Sequence, residues 1–372
     1  MRLVPRDHYE ALFLSDTPLL DTRAPIEFAK GSFPTAVNLP LLTDNERAQV
    51  GTCYKQKGQA AAVALGHELV GGDVKSARVD CWLAFTEQNP QGALLCFRGG
   101  MRSQIVQAWL SERGVDFPRI DGGYKALRQW LSEELATICQ TVPFIFVAGR
   151  TGAAKTRLLN QGSDGMPIPR SVDLEGLAHH RGSAFGRRAM PQPTQISFEI
   201  ALAIALIKAR AQGPGPIALE DEGHLIGRCA LPLPLQNARQ DADWVLLESP
   251  LEQRVQHSFD NYILANLEEL LQRTANASEA FERFSEGLLS ALERIQKRLG
   301  RQRATEIQAL MREALDQHQN GNPDAHKEWI RALLVHYYDP MYEHQMRKRT
   351  QQPLFSGDES EVAHYLRETL GP

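Results

Sequence analysis

The chain has no strong excess of charge of either sign. Its 41 Lys and Arg residues stand against 45 Asp and Glu in 372 residues, a net charge of −4, with a pI near 6.3. That excludes a histone-like polycation, and any nucleic acid must meet a local basic patch. No apolar run approaches the roughly 20 residues a membrane helix needs; the stretch Ile200 to Ile207 is core-sized. The opening segment MRLVPRDHYEALFLSD breaks its apolar residues with charges and has no signal-peptide core. A cytoplasmic location without a membrane partner is expected. Five cysteines at irregular spacing, with no CxxC pair, argue against a disulfide framework and against a zinc site. Repeats and low-complexity tracts are absent. What is present is 42% hydrophobic and 23% charged, enough for the cores of two or three domains.

Three textures follow one another. Residues 1 to 137 alternate short apolar runs (Leu19-Leu20-Asp21, Ala36 to Pro40, Ala93 to Cys96, Pro118 to Gly123) with helical stretches, the pattern of an α/β domain with a mainly parallel sheet. A second α/β domain, residues 138–260, opens with the strand Phe144 to Ala148. Residues 261–372 read as a helical C-terminal region, where Phe281, Phe284, Leu288, Leu292, Ile295 and Leu299 repeat at three-to-four spacing.

The first chemical constellation is Cys96-Phe97-Arg98-Gly99-Gly100-Met101-Arg102-Ser103, following a strand and entering a helix. Two glycines let the loop curl, and its backbone N–H groups then converge on one point suited to an anion. Arg98 and Arg102 add positive charge, and such a setting favours a nucleophilic thiolate. Cys53, Cys81, Cys139 and Cys229 lack this context and read as structural. The second constellation is Gly149-Arg150-Thr151-Gly152-Ala153-Ala154-Lys155-Thr156, between a strand and a helix. This is the setting of a P-loop, in which amides and a lysine cradle a diphosphate and Thr binds Mg²⁺. The pattern wants Gly before Lys, and Ala154 fits there if its φ is negative. The apolar run Ile217-Ala218-Leu219 ends in Glu220-Asp221-Glu222, and acids at such a strand end hold Mg²⁺ or its water. A chance Gly-rich turn and a solvated acidic turn are the plainer alternatives.

The flanking text gives these loops an identity. Leu20-Asp21-Thr22-Arg23, Gly31 to Pro40 and Asp121-Gly122-Gly123-Tyr124 resemble a rhodanese domain over about 135 residues. The loop departs from it, because C-x5-R is one residue longer than usual and matches thiol-dependent phosphatases. Adding Asp173-Leu174-Glu175, His180 to Gly186 and Gln192-Pro193-Thr194-Gln195, nearly the whole chain resembles the tRNA 2-selenouridine synthase family. Ala154 and Gly223 are its departures.

The resemblance implies a rhodanese-like domain followed by a P-loop domain with a helical C-terminal region. It implies conversion of wobble 2-thiouridine in tRNA to 2-selenouridine, with Lys, Glu and Gln acceptors. The sulfur is first geranylated from geranyl diphosphate, then exchanged for selenium from selenophosphate. Cys96 would carry selenium as an S-selanyl group while phosphate departs, aided by Arg98, Gly99, Gly100 and Arg102. Gly149, Thr151, Gly152, Lys155, Thr156, Glu220 and Asp221 would hold the diphosphate, with Mg²⁺ near Thr156 and Glu220 and no tightly bound cofactor. Arg181, Arg187, Arg188, Arg298 and Arg301 are candidates for tRNA phosphates; a solvated face explains such residues equally well. Other classes stay open: an NTP-dependent kinase-like enzyme with a regulatory rhodanese domain, a C-x5-R phosphatase, and a non-enzymatic tRNA-binding module.

Overall fold

The computed structural model describes residues 2–371. The chain forms two compact units: the segment up to Ile138 together with Thr194–Ala211, and Cys139–Pro193 together with Gln212 onward.

In the first unit β1 (Leu3–Val4), β2 (Leu19–Asp21), β3 (Ala36–Asn38), β4 (Ala93–Leu95) and β5 (Arg119–Ile120) make a sheet of order β1-β5-β4-β2-β3. All its pairings are parallel. Parallel neighbours need crossover connections, which the helices Asp44–Leu69, Gly72–Gln88 and Met101–Glu112 help supply. β2 and β4 are buried throughout, and Leu20, Leu94, Trp82, Val106 and Trp109 form one core. The helix Gln195–Ala211 belongs to this unit, whereas the sequence expectation put it in the middle domain. It buries Phe198, Ile200, Leu202, Ala203 and Leu206, and a helix apolar on nearly every side needs cover all round.

In the second unit β6 (Phe144–Ala148), β7 (Ser171–Val172), β8 (Ile217–Glu220), β11 (Asp243–Leu247) and β12 (Phe355–Gly357) form a parallel sheet of order β12-β11-β6-β8-β7. A small antiparallel hairpin pairs β9 (Leu225–Ile226) with β10 (Cys229–Ala230). Every residue of β6 is buried, as a continuous apolar run at the centre of a two-sided sheet should be. Helices Ala277–Leu299 and Arg301–Gln319 build a separate core, in which Phe284, Leu288, Leu292, Ile295 and Leu299 are buried and Phe281 packs at the edge. The end of the chain differs from the expected all-helical region. β12 extends the sheet beside β11, and Val362, Ala363 and Leu366 of the helix Glu359–Leu370 join the sheet's core. Three residues are too few for a strand period to show in sequence. No helix among the described residues is long and apolar enough to cross a membrane.

Candidate active sites

Both chemical loops leave the carboxyl ends of parallel strands, where open α/β sheets gather their ligands. In the first unit the loop after β4 carries Cys96, which is 3% exposed. Its thiol donates to Ser103 Oγ at 3.2 Å, and Ser103 Oγ donates to the Gly100 carbonyl at 3.0 Å. The loop rests on the Asp121-Gly122-Gly123-Tyr124 turn: Tyr124 N donates to Cys96 O at 2.9 Å and Lys125 N to Phe97 O at 3.0 Å. Gly123 has φ +62, and a Cβ there would lie 2.3 Å from the Cys96 carbonyl. Only glycine fits that approach.

Arg102 opens the helix Met101–Glu112 and is held by Glu27, with Nη1 2.5 Å from Oε2. Arg98 is exposed, with its guanidinium 5.9 Å from the Phe97 ring centroid. The two arginines are therefore unequal: one is anchored by a carboxylate and the other is solvated. Behind the loop, Asp21 and Arg23 form a fully buried pair at 2.7 Å. The Arg23 guanidinium stacks 3.7 Å from the Tyr124 ring centroid, and Asn38 Nδ2 donates to the Asp21 and Arg23 carbonyls. The sequence signature is thus a scaffold supporting the turn beneath the cysteine.

In the second unit the loop after β6 leads into the helix Lys155–Gln161. Gly149, Thr151, Gly152 and Lys155 line a cavity of about 670 Å³. Lys155 Nζ lies 3.4 Å from Glu222 Oε1. Burial pulls this ammonium's pKa down, but the carboxylates of Glu222, Glu175, Asp221 and Glu220 outweigh it and hold the pKa above the ordinary lysine range. Thr156 Oγ1 lies 3.0 Å from Glu175 Oε2 and 2.9 Å from Glu220 Oε1. The threonine hydroxyl, with one proton to give, is shared between the two carboxyls. Burial and the Glu222 charge push Glu175 up to about 8, and burial with the Asp173 and Glu175 charges holds Glu220 well above the usual carboxylate range.

One expectation is corrected here. Ala154 has φ +69, not a negative φ; the helix entry demands the left-handed conformation that the missing glycine would supply. Asp221 lines the same cavity as Lys155. Its carboxylate is held by Arg239, at 2.7 Å, and by Arg349, and Arg349 also stacks 4.4 Å from the Trp244 ring centroid.

Sequence reasoning gave no site role to Glu175, Arg254 or Asp339. Arg254 is buried; its Nε donates to Thr151 O at 3.1 Å and its Nη2 to Asp339 Oδ1 at 2.7 Å. Asp339 also pairs with Arg150 at 3.3 Å. The phosphate loop is thereby braced from residues far along the chain. Glu175 was legible, because Asp173 accepts from Gly176 N and caps the short helix that carries it. Gly182 has φ +61, and a Cβ there would lie 2.3 Å from Glu175 Oε1, so the His180 to Gly186 segment closes on the acids. The basic candidates divide. Arg181 and Arg188 share Glu269 Oε1 at 3.0 and 2.8 Å. Arg187, Arg298 and Arg301 are exposed, and Arg298 lines a surface cavity with Arg294 and Lys297. Among the described residues no group of three or more His, Cys, Asp or Glu is arranged to hold a metal ion.

Comparison with known proteins follows the same lines. Residues 142–371 match the family described as the tRNA 2-selenouridine synthase AAA domain. A tRNA 2-selenouridine synthase of Hahella chejuensis is 53% identical over 361 residues, covering 97% of this chain and 93% of the relative. Proteins of the same description from Marinobacter nauticus and Pseudomonas fluorescens are each 47% identical, covering 97% of this chain and 97% of the relative.

Proposed function

This chain belongs to the tRNA 2-selenouridine synthase family, and from that premise we propose that it converts wobble 2-thiouridine in tRNA to 2-selenouridine in two steps, each with its own anion site. The observation that carries this reading is the pair of anion-suited loops at strand carboxyl ends, one bearing Cys96 and the other Lys155. The first unit is read as a rhodanese-like domain and the second as a P-loop domain with a helical C-terminal part.

In the first step the uridine sulfur attacks the allylic carbon of geranyl diphosphate. The S–C bond forms, the C–O bond breaks, and diphosphate leaves with the electron pair. Lys155 and the amides of Gly149, Thr151 and Gly152 stabilise the charge growing on it. Thr156, Glu220 and Glu175 are a hard oxygen set suited to Mg²⁺, which would add a further positive charge beside the diphosphate.

In the second step S-geranyl uridine, selenophosphate and water give 2-selenouridine, geranylthiol and phosphate, a redox-neutral sum. Cys96 is the carrier of selenium in this reading, and carriage has an electron count. Selenium in selenophosphate is at the selenide level. Joining it to the Cys96 sulfur while phosphorus leaves as phosphate therefore releases two electrons to a disulfide-class acceptor. The thiols so formed return them when the selenium–sulfur bond is cleaved. Gly99 and Gly100 amides, Arg102 and Arg98 offset the negative charge of the donor. Arg187, Arg298 and Arg301, with Arg181 and Arg188, are the proposed contacts to phosphates of the Lys, Glu and Gln acceptor tRNAs.

Mass spectrometry of tRNA nucleosides after incubation with each donor separately tests the scheme. Geranyl diphosphate alone should give S-geranyl-2-thiouridine, and selenophosphate added afterwards with a catalytic thiol–disulfide pair should give 2-selenouridine. Rapid ATP turnover without tRNA, and no modified nucleoside, would instead favour an NTP-dependent enzyme.

A further inference from the structure

Beside the cysteine loop the first unit contains an apolar cavity of about 330 Å³. Leu41, Leu42, Val50, Ala62, Ile105 and Trp109 are among its walls, and Arg102 is the one Lys, Arg, Asp or Glu that lines it. Met101 and Arg102 open the helix that follows the Cys96 loop, so cavity and loop share a wall. Two of its large apolar side chains are left uncovered: Tyr54 is 57% exposed and Met101 39%. The cavity lies at the small end of the roughly 300–1,000 Å³ of small-molecule sites. That volume suits one aliphatic chain better than a nucleoside together with its chain.

The reaction proposed above, on which this inference rests, has a single apolar reacting group, the ten-carbon geranyl chain. Diphosphate, selenophosphate and tRNA are all charged. We propose that this cavity holds the geranyl chain of the S-geranylated uridine while selenium replaces sulfur at C2. In that replacement the C2–Se bond forms and the C2–S bond breaks with its electron pair on sulfur. A proton from water completes geranylthiol, a neutral apolar leaving group. The chain is drawn out of water by apolar burial, and Arg102 stands where the wall meets the loop that receives the anionic selenium donor. The Lys155 cavity is the poorer alternative for the chain at this step, because Lys155, Glu175, Asp221 and Glu222 line it beside its apolar Trp244 and Met341.

The test uses the full chain, selenophosphate, a catalytic thiol–disulfide pair and tRNA carrying either S-geranyl- or S-methyl-2-thiouridine. Ala62→Trp fills the cavity, and the ratio of kcat/KM for S-geranyl over S-methyl tRNA should fall at least about tenfold. Tyr54→Asp, at an exposed wall position, should move the ratio the same way and serves if the tryptophan variant does not fold. An unchanged ratio in folded variants overturns the inference. Calorimetry with geranylthiol separates the two readings. If the wild type makes no S-geranyl tRNA yet binds geranylthiol, and Ala62→Trp does not bind it, the cavity stands and the function falls. If both steps proceed while the wild type and Ala62→Trp bind geranylthiol equally, the cavity assignment alone falls.

Discussion

Lys155 Nζ stands 3.4 Å from Glu222 Oε1, so the lysine of the phosphate loop is already paired with a carboxylate of the Glu220-Asp221-Glu222 turn. In the proposed reaction a diphosphate would have to compete with that carboxylate for the ammonium. The pairing keeps the lysine charged and aimed into the loop.

Replacing Lys155 by Ala is expected to block geranylation, because the departing diphosphate loses its point-charge partner. Such a loss costs about 2–4 kcal/mol of transition-state stabilisation, or roughly 30- to 1,000-fold in rate. Selenation of tRNA supplied already geranylated should persist. Loss of both steps in a folded variant would mean one shared site.

Cys96→Ser should abolish selenium incorporation while S-geranyl-2-thiouridine accumulates. The substitution keeps a small polar group within reach of Ser103 Oγ, which now lies 3.2 Å from the sulfur, so packing is largely preserved. Nucleoside analysis by mass spectrometry reads both products. Continued formation of 2-selenouridine would remove the covalent role.

Ala154→Gly should stabilise the protein modestly. A left-handed conformation costs an L-residue about 1–2 kcal/mol, and glycine's greater freedom in the unfolded chain gives back about 0.4–1 kcal/mol. A net gain of about 0.5–1 kcal/mol is expected from the shift in denaturation midpoint, with geranyl transfer changed by less than about tenfold. A loss of stability would contradict the φ of +69 found here.

The acidic cluster sets a pH dependence. Glu175 ionises near its ordinary 4.5 in the unfolded chain but near 8 in the folded one, through burial and the Glu222 charge. Between those values folding takes up a proton, so stability falls as pH rises, and the full penalty is present above about 8. Glu175→Gln should flatten this part of the profile in denaturation series from pH 5 to 9. An unaltered slope would mean that Glu175 is ionised throughout.

Binding of tRNA should weaken steeply with salt despite the net charge of −4, because counterion release follows local contacts. Charge reversal at the exposed Arg298 and Arg301 should reduce the slope of log K against log salt by about one for each lost phosphate contact. Fluorescence titrations between about 50 and 200 mM salt check this, and an unchanged slope would exclude these two residues.

Much of this protein was legible in its sequence because the information is local. A buried parallel strand is a continuous apolar run, so β6 and β8 could be read directly, and both glycine-bearing loops lie between a strand and a helix as their patterns indicated. The three-to-four repeat from Phe281 to Leu299 likewise marked one helix face. Tertiary structure decided what depends on distant partners. That Glu222 and Glu175 meet the loop after β6 while Asp221 is held by Arg239 and Arg349 follows from the approach of separate segments. The Arg254–Asp339 brace spans 85 residues, and Phe355–Gly357 becomes a strand only because β11 offers an edge. Such choices rest on which segments pack together, and no local pattern of residues records that.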